Sequence, residues 1–319
     1  MAYVITGATG HIGNNLARSL IQNHKEVVIL TRRMDRAIEG LHAKFIVGDI
    51  FDDSFLDNHI RENDIVIHLA GVIDIKNNKM DETYKINYEL TKKLVDICMN
   101  KNIERFIYFS SVDCIYKKND EKVVEPEEIF ADKFSDNYSH TKALATSYVL
   151  KMRRLYPNIK INILYPSAVI GKNDYKPSSI GKVVKDILDR KMQFGVKGGY
   201  NFIDVDDVVK ATEIVIDKKI DGDFLLTGFP VTIYEFYQIV NKHLGRKKRI
   251  WKIPLFVAYL CIPFVPYLSK FVLKTINENY NYDNRKLKNI LGLSLTDFDD
   301  TIDKTIKFFK EYEKDEKIN

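Results

Sequence analysis

Along the first 170 residues, short apolar runs alternate with longer stretches whose apolar positions recur every three or four residues. The runs Tyr3–Thr6, Val27–Thr31, Lys44–Val47, Ile65–Leu69, Phe106–Phe109 and Ile159–Tyr165 read as strands. Several are apolar on both faces, as parallel strands covered on either side by helices must be. Between them, Ile12–Gln22, Asp81–Met99 and Tyr138–Tyr156 have helical spacing, and Leu90, Leu94, Ile97 and Cys98 fall together on the second. Strand alternating with helix predicts an α/β fold with a doubly wound parallel sheet.

Beyond Gly171 the alternation loosens. Ser178–Arg190 reads as a helix, Asn201–Val205 as a short strand and Asp206–Asp217 as another helix. Phe224–Thr227 reads as a strand returning to the sheet, Thr232–Leu244 is amphipathic, and Asp297–Glu313 repeats Phe298, Ile302, Ile306 and Phe309 at helical spacing. No solenoid period is present. The expected organisation is a sheet domain over residues 1–175, to which 201–230 returns, and a smaller, mostly helical unit from 176–200 and 231–319.

Composition narrows this little. The 319 residues hold 49 Lys and Arg against 44 Asp and Glu, a net charge of +5, and the 45% of hydrophobic residues suffices for a sizeable core. Cys98, Cys114 and Cys261 have neither disulfide nor metal-ligand spacing, so a reducing, cytoplasmic setting and no metal are expected. The opening Met-Ala-Tyr-Val-Ile-Thr-Gly lacks the basic and apolar regions of a secretory leader. Only Arg246-Lys247-Lys248-Arg249 is densely basic, and without a recognisable binding module nucleic acid is not an expected partner.

The first strand runs directly into Thr6-Gly7-Ala8-Thr9-Gly10-His11-Ile12-Gly13 and then a helix. Gly7 permits the sharp turn, Gly10 lets the main chain approach a pyrophosphate, Gly13 lets helix pack on strand, and the helix N-terminus offers free N–H groups. This context predicts a dinucleotide on a Rossmann-type sheet, with Gly7, Thr9, Gly10, His11 and Ile12 against it. The second strand ends Leu30-Thr31-Arg32-Arg33, without the acidic residue that would hold ribose hydroxyls. Arg32 and Arg33 can instead clamp a 2′-phosphate, which favours NADP (NADPH), with NAD as the alternative.

Tyr138-Ser139-His140-Thr141-Lys142 places a phenol and an ammonium at i and i+4 of one helix. A cation beside a phenol stabilises the phenolate and brings its proton within reach of neutral pH. The fifth strand ends Phe109-Ser110-Ser111, at the edge where open parallel sheets bind ligands, and Ser111 precedes Tyr138 by 27 residues. Ser111, Tyr138 and Lys142 are the expected catalytic group. Ser110 is the alternative hydroxyl.

The glycine spacing, the serine and the tyrosine–lysine pair together resemble the extended short-chain dehydrogenase/reductase superfamily, the NAD-dependent epimerase/dehydratase family. The resemblance covers almost the whole chain and diverges most between residues 245 and 280. It implies that Asp49 and Ile50 of Gly48-Asp49-Ile50 lie by the adenine, and that Leu69, Ala70 and Gly71 of His68-Leu69-Ala70-Gly71 line ribose and phosphates. Tyr165, Pro166, Ser167 and Val169 of Tyr165-Pro166-Ser167-Ala168-Val169-Ile170-Gly171 would wrap the nicotinamide end. It further implies that Tyr138 moves the proton, that Lys142 also holds nicotinamide-ribose hydroxyls, and that Asn87 occupies a family position. Phe202–Val208 and Tyr282–Lys286 resemble landmarks too. A homodimer through the fourth and fifth helices is a further implication.

Within the superfamily, the longer loop after Ser111 and the serine at 167 resemble the branch of 3β-hydroxysteroid dehydrogenases and dihydroflavonol 4-reductases. That branch implies an oxidoreductase interconverting a ketone and a secondary alcohol on a small-molecule substrate held by the smaller unit. The alternatives are a nucleotide-sugar epimerase or dehydratase with tightly held NAD(P), for which Arg285 would meet the phosphates, and a non-catalytic NADP-binding sensor. Ile253–Leu268 carries no charge in sixteen residues but is interrupted by Pro254, Pro263 and Pro266, so it does not span a membrane. It is expected to cap the pocket, with Phe256, Tyr259, Leu260, Phe264 and Tyr267 lining it or packing inward, which suits a hydrophobic substrate; plain core packing explains the same residues. Peripheral membrane contact through 246–273 is the alternative.

Overall fold

The structure is a computed structural model that describes residues 1–118, 121–189, 191, 193–265 and 268–318, side chains beyond Tyr312 excepted. Arg190, Pro266 and Tyr267 of the predicted features lie outside the described residues. In chain order the strands are β1 (Tyr3–Thr6), β2 (Val27–Thr31), β3 (Lys44–Val47), β4 (Ile65–His68), β5 (Arg105–Phe109), β6 (Lys160–Pro166), β7 (Ala168–Ile170), β8 (Phe194–Gly195), β9 (Gly199–Asp204), β10 (Phe224–Leu226), β11 (Phe229–Thr232) and β12 (Trp251–Lys252). The first six sequence-predicted strands are recovered to within a residue. Seven strands form the main sheet in the order β10-β6-β5-β4-β1-β2-β3, with every neighbouring pair parallel. The strand order reverses between β1 and β4, and ligands bind beyond the carboxyl ends of strands at such a point.

Apolar side chains on alternate strand positions make a core on each face. Val4, Val28, Val66 and Phe106 meet α2 (Asp53–His59), α4 (Leu90–Asn100) and α5 (Asn137–Leu155) through Leu56, Leu90, Leu94 and Val149. Ile5, Ile29, Ile67 and Ile107 meet α1 (His11–Gln22), α7 (Val205–Asp217) and α11 (Arg285–Asn289) through Leu16, Leu20, Val208, Val215 and Leu287. This double covering is what the two-sided apolar strands require.

Sequence periodicity missed one feature of the helix expected over Asp81–Met99. It begins as α3 (Met80–Thr83), widens into a π-helical stretch (Tyr84–Glu89) and continues as α4. The widened turn carries Asn87, whose side chain accepts from Val72 N at 2.8 Å and donates to Val72 O at 3.0 Å. Such bulges trade regular helix bonds for the placement of one residue.

The strand expected at Asn201–Val205 is β9, and it joins a second sheet, not the main one: β9 pairs with β11 antiparallel and with β7 parallel. Of the segment 201–230, α7 packs on the main sheet and β10 enters it. The second sheet buries Phe202 among α6 (Ser179–Leu188), α8 (Ile233–His243) and α12 (Phe298–Ile318). Thr232 and Glu235 close the start of α8 with reciprocal side-chain-to-backbone bonds, a capping box. Short β8 and β12 pair with each other. Then α9 (Leu255–Cys261), a 3-10 turn (Ile262–Phe264) and α10 (Lys270–Asn277) share a small core of Ala258, Leu273 and Ile276.

One expectation is overturned here. Phe256, Tyr259, Leu260 and Phe264 do not cap a pocket; all four are exposed. The inward face of this short helix is already filled by Leu255, Ala258 and Ile262, which leaves the other face to solvent.

Candidate active site

A cavity of about 460 Å³ opens at the switch point and runs from the glycine turn to α10. At one end Gly7, Gly10, His11 and Ile12 line it. Gly7 has φ +81°, and a Cβ there would stand 2.4 Å from Ala70 N; a Cβ on Gly13 would stand 2.3 Å from Gly7 O. These two glycines are demanded by packing. Gly10 is the N-cap of α1 and exposed, and its Cβ would meet only Gly7 O, at 3.3 Å, so main chain is open to a ligand there. Asn14 donates to Gly10 O (2.8 Å) and Asn173 O (3.0 Å), and Asn15 to His11 O (2.8 Å), fixing the turn against the loop after β7. These asparagines carried no signal in the sequence reading.

Leu69, Gly71, Pro166, Ser167 and Val169 continue the lining, and Ser111, Tyr138 and Lys142 complete it. Other expected cofactor residues are not on this wall. Thr9 sits within the turn, half-buried, and Ala70 packs behind it on the core. Arg32 and Arg33 are exposed just past β2. Asp49 is exposed and accepts from Phe51 N at 2.9 Å, while Ile50 is buried in the core. Tyr165 is wholly buried in the sheet. His68 bridges Thr6 Oγ1 (2.6 Å) and Thr91 Oγ1 (2.9 Å); burial, then the Lys142 charge, push its pKa down to about 3, so it is a neutral core histidine.

The two serines differ in their partners. Ser110 Oγ is tied to Thr146 Oγ1 at 2.6 Å and Cys114 Sγ at 3.1 Å. Ser111 Oγ instead accepts from Asp113 N at 3.1 Å, donates to Asp113 Oδ2 at 3.4 Å, and lines the same cavity as Tyr138. Tyr138 and Lys142 face the cavity because Asp136 starts α5, accepting from Ser139 N at 2.8 Å, and so fixes the rotation of the helix. The Lys142 ammonium donates to Phe109 O at 2.7 Å and lies over the Tyr108 ring at 5.1 Å. Burial brings its pKa down to about 8.

The expected electrostatics at Tyr138 are reversed. Burial first, then the Asp113 carboxylate, hold the phenol well above its ordinary pKa; Ser111 works the other way, and Lys142 is not among the main influences. The phenol therefore stays protonated at neutral pH.

Beyond Tyr138 the cavity has a second, charged end that the sequence reading did not assemble. Lys117 Nζ, almost fully buried, lies 3.2 Å from Glu278 and 3.6 Å from Asp113, and 5.8 Å from the centre of the Tyr282 ring. Burial works against its charge, but Tyr282, Asp113 and Glu278 together hold it protonated. Burial raises Asp113, with Lys117 opposing, and pushes Tyr282 up to about 12. Tyr200 and Thr275 complete this wall. It is pinned by a single β-bridge, Val123 N to Asn281 O (3.0 Å) and Asp283 N to Val123 O (2.8 Å). Asp113 and Lys117, at i and i+4, were the only legible hint. Arg285 points away, paired with Asp283 on the surface. Among the described residues no cluster has the make-up of a metal site.

A family model described as NAD dependent epimerase/dehydratase family matches residues 3–225. Sterol demethylase protein B of Methylococcus capsulatus is 27% identical over 262 residues, covering 80% of this chain and 78% of that protein. The decarboxylating sterol-4-alpha-carboxylate 3-dehydrogenase of Bos taurus is 23% identical over 331 residues, covering 96% and 91%. Among solved structures, that of gox2253 superposes with a TM-score of 0.85 at 25% identity, covering 98% of both chains.

Proposed function

The chain belongs to the NAD-dependent epimerase/dehydratase family of extended short-chain dehydrogenases/reductases, and on that premise we propose an NADP(H)-dependent oxidoreductase that interconverts a ketone and a secondary alcohol. The observation that carries this reading is a protonated phenol and a hydroxyl, Tyr138 and Ser111, facing one cavity with the glycine turn. A dinucleotide fits the groove: the open Gly10 main chain and the start of α1 suit the pyrophosphate, and Ser167 and Val169 would flank the nicotinamide. When bound, the nicotinamide supplies or accepts the electron pair.

The chain's own residues then handle charge and proton. In the reducing direction Tyr138 Oη gives its proton to the substrate oxygen, while the Ser111 hydroxyl donates a hydrogen bond to that oxygen as negative charge builds on it. Lys142 keeps one N–H on Phe109 O and has two left for ribose hydroxyls. Held above its usual pKa, the phenol is protonated at neutral pH and so carries the proton that reduction requires. Arg32 and Arg33 would hold a 2′-phosphate outside the cavity.

The substrate we infer is an apolar alcohol or ketone with a second polar group, as the names of two relatives suggest. Ile73, Val112 and Ile180 would take its apolar body; Lys117 and its tyrosine neighbours would take the polar group. A nucleotide sugar fits less well, because its diphosphate would face Asp113 and Glu278 while Arg285 is engaged elsewhere. The test is reduction of a panel of carbonyl compounds by NADPH, followed through loss of the reduced-cofactor absorbance. Turnover of a sterol-like ketone supports the assignment; turnover of nucleotide sugars alone overturns it.

A further inference from the structure

We propose that the face formed by α9, the following 3-10 turn and the basic run before them docks this protein onto an anionic lipid surface. Two independent properties coincide there. The first is charge segregation: seven of the 49 Lys and Arg, and none of the 44 Asp and Glu, lie between Gly245 and Asn277. The rest of the chain, with 42 basic and 44 acidic residues, carries −2, so the net positive charge resides in this one segment. Lys247, Arg249, Lys252 and Lys270 are exposed on it.

The second is an apolar face turned outward. Phe256, Leu260 and Phe264 follow one another at helical i, i+4 spacing and are 67%, 69% and 82% exposed, with Trp251 and Tyr259 at 46% and 40%. The opposite face of α9 is spent on the small core, so these side chains cannot turn inward. Large apolar groups rimmed by cations, with an aromatic at the rim stacked under Arg249 at 4.0 Å, are what the boundary between headgroups and acyl chains accepts. A second copy of the chain would bring the same positive segment against itself, whereas an anionic leaflet complements it. No helix among the described residues is long and apolar enough to cross a membrane, so the contact is with one surface.

The position of this face also matters. α10 packs against α9, and its Phe271 meets the Tyr138 ring edge-on at 6.2 Å while Thr275 lines the cavity. A docked molecule therefore holds the wall of its cavity against the bilayer. That an apolar substrate enters by this wall rests on the reading given above; the docking itself does not.

The test is sedimentation of the whole protein with vesicles of phosphatidylcholine plus phosphatidylserine, and with phosphatidylcholine alone. Binding to the mixed vesicles, falling at least tenfold on raising salt, is expected. The triple variant Phe256→Ser, Leu260→Ser, Phe264→Ser should lose vesicle binding by at least tenfold while its NADPH fluorescence titration stays unchanged, which shows that it is folded. Absence of wild-type binding to the mixed vesicles, or equal binding by the variant, overturns the proposal. So does a wild-type dimer, seen by sedimentation velocity without lipid, that the triple variant converts to monomer without any vesicle binding by wild type. None of these outcomes depends on which carbonyl compound is turned over.

Discussion

The two ends of the cavity are built on opposite principles. At the glycine turn the walls are main chain, held by close packing and by amide side chains that carry no charge. At the other end the walls are Asp113, Lys117, Glu278, Tyr200 and Tyr282, and burial and the charges beside them shift Asp113, Lys117, Tyr200 and Tyr282 from their ordinary pKa. The first end offers shape and N–H direction; the second offers charge.

Substitutions separate the two ends, and the largest effect belongs to their junction. Tyr138→Phe should lower kcat by about 10²–10⁴-fold with NADPH affinity within about twofold, as steady-state rates and fluorescence titration would show. Undiminished turnover would remove the phenol from the chemistry. Lys142→Met should lower kcat/KM by about tenfold or more and yet stabilise the protein. Its folded pKa, about 8, lies below the ordinary 10.5, so the unfolded chain binds more protons between these values and the penalty of burying the ammonium is complete below pH 8. That penalty is about 3 kcal/mol, offset by about 1 kcal/mol for the bond to Phe109 O. Urea unfolding should show the variant's advantage at neutral pH and its decline as pH rises from 8 toward 10.5.

At the nucleotide end, Arg32→Ala with Arg33→Ala should reduce the preference for NADPH over NADH by about tenfold without changing kcat, since each charge-assisted bond is worth about 1.5–3 kcal/mol but exposed ones less. Equal loss for both cofactors would place these arginines outside the 2′-phosphate site. The smallest effect is expected for Asp113→Asn. Removing this carboxylate removes a cause of the raised Tyr138 pKa, so the alkaline limb of the reduction rate should move to lower pH by less than about one unit. An unmoved limb would mean that Asp113 serves Lys117 alone.

Much of this was legible because parallel α/β architecture writes itself locally. Six strands, the glycine turn and the α5 pair follow from short runs of sequence, and Ser111, Tyr138 and Lys142 arrive together because the sheet edge gathers them. The charged end was not legible, since Asp113 and Lys117 meet Glu278 and Tyr282 only after the chain has closed on itself. The π-helical turn at Asn87 was hidden for a related reason: the side chain it carries bonds to Val72, a tertiary partner. The segment after Lys252 stays open in the sequence, because an apolar run says that contact is needed without saying with what.

The lone bridge between Val123 and Tyr282 has a kinetic consequence. It joins positions 159 residues apart, whereas neighbouring strands of the main sheet are joined through much shorter crossovers. Long loops close late, because their entropy must be surrendered before any contact rewards it. During refolding the groove beside the glycine turn is expected to mature first and the tyrosine-rich wall last, so that a young molecule would have its nucleotide groove before it could tell one substrate from another.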